Sequence, residues 1–245
     1  MPTTPKTRVS AIVPAHDEAA TISGVVSSLV GHPLVDEVIV VDDGSRDATA
    51  ALAREAGARV ISLHRTRGKA AAMQWGTQLA RHEILLFSDA DVIGLSAEKI
   101  TCLVRPVLAG QFDMHVGIRA RRTYWANRLL HFTPVISGER ALRREIWDQV
   151  PADYKRNFQI EIALNFFAKQ NGYRMGISIL RGVSQVIKER KRGLLAGVWQ
   201  RILMIRDILL VSWRIYVLLQ TRTRVEGLLR RRKRPEAVEA GNVRA

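Results

Sequence analysis

The chain has 245 residues, of which 47% are apolar, enough for one medium domain with a sizeable core and too many for a wholly disordered polypeptide. Its single cysteine, Cys102, excludes an internal disulfide framework and a cysteine-rich zinc site, and it suits a reducing, cytoplasmic setting. The net charge of +15 is uneven: Arg190 to Ala245 hold 14 basic and 4 acidic residues, a net of +10, so the polyanion-seeking part of the chain is its end.

Met1–Arg8 lacks the apolar run of a signal peptide, and no stretch of about 20 uncharged apolar residues is present to span a bilayer. Val9–Pro14, Glu37–Asp42 and Glu83–Ser88 are short runs rich in β-branched and apolar residues, and Ala58–Leu63 is a weaker one. Their apolar residues are consecutive, as in parallel strands buried on both faces. Between and after them, Glu18–Val30, Asp47–Gly57, Lys69–Arg81 and Ser96–Leu108 read as helices. Strands alternating with helices of this length predict an α/β fold with a doubly wound, mostly parallel sheet. Beyond Gly110 the pattern predicts a strand at Phe112–Ile118, helices at Gly138–Gln149 and Phe158–Asn171, and a last strand at Met175–Leu180.

Leu194–Leu219 is apolar but interrupted by Arg201, Arg206, Asp207 and Arg214. Each such charge costs about 2.5–3.5 kcal/mol at a bilayer centre, so the segment is expected to lie in a membrane interface or pack on the domain. An exposed apolar helix can equally pair with its own copy, which leaves a homo-oligomer open. Arg230–Arg234 follows, then a polar tail from Pro235 expected to be disordered. The resulting division is 1–188 for the α/β domain, 189–234 for a basic amphipathic helical region, and 235–245 for the tail.

Open α/β sheets bind ligands beyond the carboxyl ends of their strands. There this sequence places Pro14-Ala15-His16-Asp17-Glu18, Asp42-Asp43-Gly44-Ser45 and Asp89-Ala90-Asp91. Carboxylates gathered at one edge repel unless a cation, donor groups or protonation relieves them. Asp89 and Asp91 are two residues apart, so on an extended chain they share a face and can reach one ion. Hard divalent cations such as Mg²⁺ take one or two carboxylates together with substrate phosphates. Gly68-Lys69 opens the alanine-rich helix and joins a close-approach glycine to a point charge for phosphate. Neither G-x-x-x-x-G-K-[ST] nor G-x-G-x-x-G is present, so a Walker-type NTPase and a dinucleotide-binding Rossmann site are not supported.

Taken together, VSAIVPAHDEAATI, EVIVVDDGSRDAT, GKAAAMQWG and ILLFSDADV, in that order over roughly residues 7–180, resemble family 2 glycosyltransferases of the GT-A fold. Within that family the chain looks most like the dolichyl- or polyprenyl-phosphate sugar transferases. The resemblance implies a UDP- or GDP-linked sugar donor held by Pro14, Ala15, His16, Glu18, Asp42, Asp43, Lys69 and the Asp89-Ala90-Asp91 segment. It implies Mg²⁺ or Mn²⁺ on Asp89 and Asp91. His16 departs from the aromatic residue frequent at that position.

Val116-Gly117-Ile118-Arg119 resembles the G-S-R segment of polyprenyl-phosphate transferases, so Arg119 is expected to bind acceptor phosphate and act with Asp89 and Asp91 in catalysis. Ser137-Gly138-Glu139-Arg140 supplies a second candidate, Arg140, and Glu161 is a third acceptor-side candidate, with a packing role as its alternative. Members that use hydroxyl acceptors often carry an Glu-Asp pair as base. Here Glu161 is followed by Ile162, which agrees with an acceptor that is already anionic. The expected function is transfer of a hexose, with inversion, to a polyprenyl phosphate at the cytoplasmic face of an anionic membrane. The alternatives are a soluble GT-A transferase with a sugar or small phosphorylated acid as acceptor, a nucleotidyltransferase, although PAHDEAA lacks the glycine-rich loop usual in that class after the first strand, and nucleic-acid binding by the Arg-rich end. Clustered acids in the body and the lack of interleaved aromatics in the tail count against the last, so no nucleic-acid partner is expected.

Overall fold

The computed structural model describes residues 8–119, 137–155, 159–185 and 213. Leu194–Leu219 apart from Trp213, the Arg230–Arg234 run and the tail lie outside the described residues, as do the helical and disorder expectations attached to them.

Parallel strands β1 (Val9–Ala15), β2 (Glu37–Asp42), β3 (Arg59–Ser62) and β4 (Ile84–Phe87) form one half of the main sheet, each reached through a helix: α1 (Ile22–Val30), α2 (Thr49–Glu55) and α3 (Lys69–Leu79). A short strand β5 (Val92–Ile93) leads into α4 (Ala97–Leu108) and then β6 (Met114–Arg119). Next come β7 (Arg140–Arg143), the short α5 (Arg144–Asp148), a 3₁₀ turn at Ala152–Tyr154, α6 (Gln159–Gln170), β8 (Met175–Leu180) and β9 (Ser184–Gln185). The sheet order is β3-β2-β1-β4-β7-β6-β8, and β5 pairs with β9 in a separate antiparallel ribbon. Only β7 is reversed: it pairs antiparallel with both β4 and β6, whereas β6 and β8 are parallel.

The consecutive apolar residues of β1, β2 and β4 are buried on both faces, as their sequence predicts, whereas β3, at the sheet edge, is only partly covered. On one face Val9, Ala11 and Val13 pack with Ile22, Val26 and Leu29 of α1 and Leu103 and Val104 of α4. On the other, Ile12, Leu85 and Phe87 pack with Met73 of α3, Trp147 of α5 and Ile160 and Leu164 of α6. Phe87 and Trp147 meet with ring centroids 5.1 Å apart. Covering both faces leaves the strand ends as the place where polar groups collect.

Two sequence expectations are corrected. Gly138–Gln149 is not one helix: its first part forms β7, and only Arg144–Asp148 is helical. Local propensity favours a helix in ALRREIW, but the slot between β4 and β6 offers ladder bonds on both sides and buries Ala141 and Leu142 completely. The first helix begins at Ile22 rather than Glu18. The backbone N–H groups before it are spent elsewhere: Asp17 donates to Ser45 Oγ, Glu18 to Thr49 Oγ1 and Ala19 to Asp47 Oδ2.

Candidate active site

Strand direction alone assembles this site. The parallel strands β1, β2, β4 and β6 all end at one edge of the sheet, which brings there the segment after Ala15, Asp42 and Asp43, Asp89 to Asp91, and Arg119. Reversed β7 begins at that same edge, so Ser137 to Arg140 join the others. The first turns of α3 and α6 add Lys69 and Glu161.

The side chains that meet form an alternating row of charges. Glu161 Oε1 lies 2.8 Å from Lys69 Nζ, which lies 2.6 Å from Asp89 Oδ1. Asp89 Oδ2 lies 3.3 Å from Arg119 Nη2, and the same nitrogen lies 3.4 Å from Glu139 Oε2. All five are largely removed from water, so each charge depends on its neighbours. Burial opposes the charge on Lys69, but Asp89 and Glu161 more than compensate and push its ammonium above the usual lysine range. Burial would also raise the Asp89 carboxyl, yet Lys69, with Arg119 and Arg140 nearby, holds it below the usual carboxylate range. Glu139 goes the other way: burial and the Asp89 charge raise it to about 7, against the pull of Arg119 and Ser137.

Gly138 explains how the strands come so close. A Cβ built there would overlap the Asp89 carboxylate, so any side chain at this position would displace it. Among the described residues, Arg119 Nη1 and Glu139 Oε1 are buried with no hydrogen-bond partner. Unmade hydrogen bonds of this kind are expensive and mark a place where a ligand group can complete them.

The rim near β2 is built differently. Asp43 accepts the backbone N–H groups of Arg67 at 2.7 Å and Gly68 at 2.8 Å, and Asp42 Oδ1 accepts that of Ser45 at 3.0 Å. Gly44, at φ +75°, lies under the backbone of Arg65 and Thr66, where a Cβ would approach Thr66 N to 3.0 Å. The two loops are thereby pinned together just before Lys69. His16 Nδ1 is 2.9 Å from the Asp43 carbonyl, which can only accept, so this nitrogen carries the proton and Nε2 stays outward toward Asp17.

The structure gathers Asp89, Lys69, Arg119 and Glu161 directly, and it sets Pro14, Ala15, His16, Glu18, Asp42, Asp43, Ala90 and Asp91 around the same edge. Arg140 is corrected from its expected part as an acceptor contact. It is fully buried, its Nε and Nη2 donate to the Ser137 carbonyl, and its Nη1 donates to the Glu161 carbonyl and Asn165 Oδ1. It acts as a positive charge beneath the site and as a brace between β7 and α6. Glu139 is the residue that sequence reasoning left out: it sits in the SGER segment, singled out only through Arg140, and no local spacing signals its contact with Arg119.

The sequence model described as glycosyl transferase family 2 matches residues 10–170. The chain belongs to this family. Its sheet has the GT-A architecture. Family members similar to it include a glucosyl-3-phosphoglycerate synthase of Mycolicibacterium paratuberculosis, 37% identical over 111 residues that make up 42% of this chain and 34% of that protein. An undecaprenyl-phosphate 4-deoxy-4-formamido-L-arabinose transferase of Pseudomonas aeruginosa is 30% identical over 186 residues, 66% of this chain and 54% of that protein. The matched stretches are thus about a third to a half of these relatives' lengths. Among solved structures, the glucosyl-3-phosphoglycerate synthase of Mycobacterium tuberculosis in complex with Mn²⁺ and UDP-glucose has a TM-score of 0.69 and 26% identity, covering 84% of this chain and 79% of that one.

No group of three or more metal-ligating side chains occurs among the described residues of this glycosyltransferase. Asp91 would nevertheless fit as the direct ligand of a nucleotide-bound divalent cation, and Asp89, whose Oδ1 and Oδ2 face Lys69 and Arg119, would add its negative charge beside it. Both are buried at the strand edge, and the missing Cβ of Gly138 leaves the Asp89 carboxylate its room.

Proposed function

We propose that this family 2 glycosyltransferase moves a hexose from a UDP- or GDP-linked donor, with inversion, to the phosphate of a polyprenyl lipid at the cytoplasmic face of a membrane. The observation that carries this reading is the pairing of the acids. Glu161 and Asp89 are bound to Lys69, and Glu139, though its Oε1 is unpartnered, is fully buried behind Arg119, so none of the three faces outward as a base for a neutral hydroxyl. Arg119 instead has unspent donors, which suit an acceptor that is already an anion.

Pro14, Ala15, His16 and Glu18, with Asp42 and Asp43, would line the nucleotide, and Asp91, with the charge of Asp89 beside it, would hold Mg²⁺ or Mn²⁺ at its diphosphate. When bound, that cation supplies charge neutralisation for the leaving nucleoside diphosphate. Lys69 lies beside Asp89 and would add a positive charge there. An oxygen of the acceptor phosphate bonds to the anomeric carbon as the bond from that carbon to the donor's β-phosphate oxygen breaks. No proton need be removed, and the chain's contribution is alignment and electrostatic stabilisation.

The lipid acceptor is supported by the similarity to the undecaprenyl-phosphate transferase and by the basic, apolar sequence after residue 189. A small phosphorylated acid is the second reading, favoured by the similarity to the mycobacterial synthases. The test is release of free nucleotide from a panel of UDP- and GDP-sugars with Mg²⁺ or Mn²⁺, with a short polyprenyl phosphate, with 3-phosphoglycerate, or with neither. Turnover that requires the lipid phosphate supports the first reading, turnover that requires 3-phosphoglycerate supports the second, and donor binding without transfer to either refutes both.

A further inference from the structure

We propose that Glu139 is a positioning residue: its carboxylate draws the Arg119 guanidinium away from Asp89 and leaves the Nη1 edge turned to the anionic group of the acceptor. This rests on the reading that an acceptor anion is bound at Arg119.

Arg119 stands between two acids through a single nitrogen, 3.3 Å from Asp89 and 3.4 Å from Glu139. With Asp89 as its only partner, the guanidinium would close onto that carboxylate, which Lys69 already neutralises at 2.6 Å. A counter-charge on the opposite side holds it at a distance from both. The price of that arrangement is visible, because Nη1 is buried without a partner and so is Oε1 of Glu139. A merely structural ion pair would close into a two-pronged arginine–carboxylate contact and use these atoms.

Glu139 is also firmly seated. It is fully buried, its backbone carbonyl accepts the Gly117 N–H at 2.8 Å, and Arg119 lies two residues further along the same strand. Ser137 Oγ lies 3.0 Å from Glu139 Oε2 and 2.5 Å from the Gly117 carbonyl. A hydroxyl has one hydrogen, so Ser137 serves one of these acceptors at a time, and the bond it gives Glu139 is the one that favours the charged carboxylate. The same two strands thus fix both members of the pair, and a shift of the carboxylate is a shift of the guanidinium.

The experiment is steady-state kinetics on the full chain at pH 8, where a Glu139 carboxyl at about 7 is mostly ionised, with UDP-glucose and Mn²⁺, using farnesyl phosphate and 3-phosphoglycerate as separate acceptors, alongside Mn²⁺-dependent UDP binding by calorimetry. Glu139→Gln keeps shape and the bond to Ser137 but removes the charge. It is expected to raise KM for the responding acceptor about tenfold, with KM for UDP-glucose and UDP affinity within twofold of wild type. Glu139→Asp should recover part of the loss. Arg119→Ala should raise acceptor KM at least as much, and the double variant should be no worse than Arg119→Ala alone, since the two act through one group. An unchanged acceptor KM in Glu139→Gln, additive losses in the double variant, or a parallel loss of UDP affinity would each overturn the assignment. The acceptor that responds distinguishes a lipid phosphate from a soluble one. If wild type binds UDP yet transfers to neither, the acceptor reading fails and this inference falls with it; if wild type turns over and Glu139→Gln is silent, only the inference falls.

Discussion

Replacing Lys69 by methionine, which keeps the aliphatic stem and removes the charge, tests whether the row of charges is held up by its central cation. Lys69 bonds Asp89 at 2.6 Å and Glu161 at 2.8 Å, and its loss leaves both carboxylates buried. Removing one member of a buried pair costs about 3–5 kcal/mol. Asp89 keeps Arg119 and Glu161 keeps the field of Arg140, so the lower end, about 3 kcal/mol, is expected. For a chain of this size that corresponds to a fall of about 6–12 °C in melting temperature, measured by calorimetry or dye fluorescence at pH 8.

The pH dependence has a defined sign. Because the Lys69 ammonium is raised above its ordinary value of 10.5, the stability it confers is fully present below that pH and is lost only as pH climbs beyond it. Between pH 5 and 8 any change in the deficit of the variant therefore comes from Asp89, which Lys69 holds below the usual carboxylate range, and from Glu139, which lies at about 7 even with Lys69 present. These take up protons more readily once Lys69 is gone, so the deficit should shrink as pH falls from 8 to 5. A variant that melts within 2 °C of wild type at pH 8, or whose deficit grows on acidification, refutes the reasoning, because the acids would then not depend on the cation.

Four further outcomes are expected. Asp91→Asn should lower metal-dependent turnover at least 100-fold while leaving the circular dichroism spectrum unchanged; retained turnover would remove Asp91 from the metal site. Gly138→Ala should weaken Mn²⁺-dependent UDP binding, because its Cβ would overlap the Asp89 carboxylate, and calorimetry would show it. Glu37, which accepts from Ser10 Oγ and Arg81 N at 2.6 Å each, is lowered because these donors outweigh its burial; its contribution is present above pH 4.5 and is lost as pH falls, so the melting deficit of Glu37→Gln should be largest near neutrality and vanish in acid. Replacing Arg230, Arg231, Arg232, Lys233 and Arg234 by glutamine should reduce co-sedimentation with phosphatidylserine vesicles at low salt, at about 1 kcal/mol per charge; unaltered sedimentation would refute their membrane role.

The half of the sheet up to Asp91 was legible because its signals are local. VSAIVPA, EVIVVD and ILLF are consecutive apolar strands, and each delivers its acids at its end or within four residues of it. The half after Gly110 was less legible because long-range partners decide it. Nothing within ERALRREIW announces a strand; β4 and β6, more than twenty residues away on either count, impose it. The same holds for the site. Lys69 and Asp89 are conspicuous in sequence, but the second partner of Lys69, Glu161, lies 92 residues away and is brought in by packing α6 against α3 and β4. Arg140 looked like a phosphate ligand because Ser137-Gly138-Glu139-Arg140 reads as the polar lead-in to a helix at the acceptor side; its burial becomes visible only when the three carbonyl and amide acceptors around it are assembled.

The one reversed strand has a kinetic meaning as well. β1 pairs with β4 across more than seventy residues, and β7 pairs with β4 across more than fifty while closing the gap between β4 and β6. Long loop closures of this kind come late in folding. A chain in which β7 has not yet docked already owns the loops pinned by Asp42 and Asp43, but lacks Glu139, Arg140 and the ordered end of the strand that carries Arg119. Such a chain has Lys69 and Asp89 but neither Glu139 nor Arg140 beside them, so docking of β7 is the step that completes the row of charges.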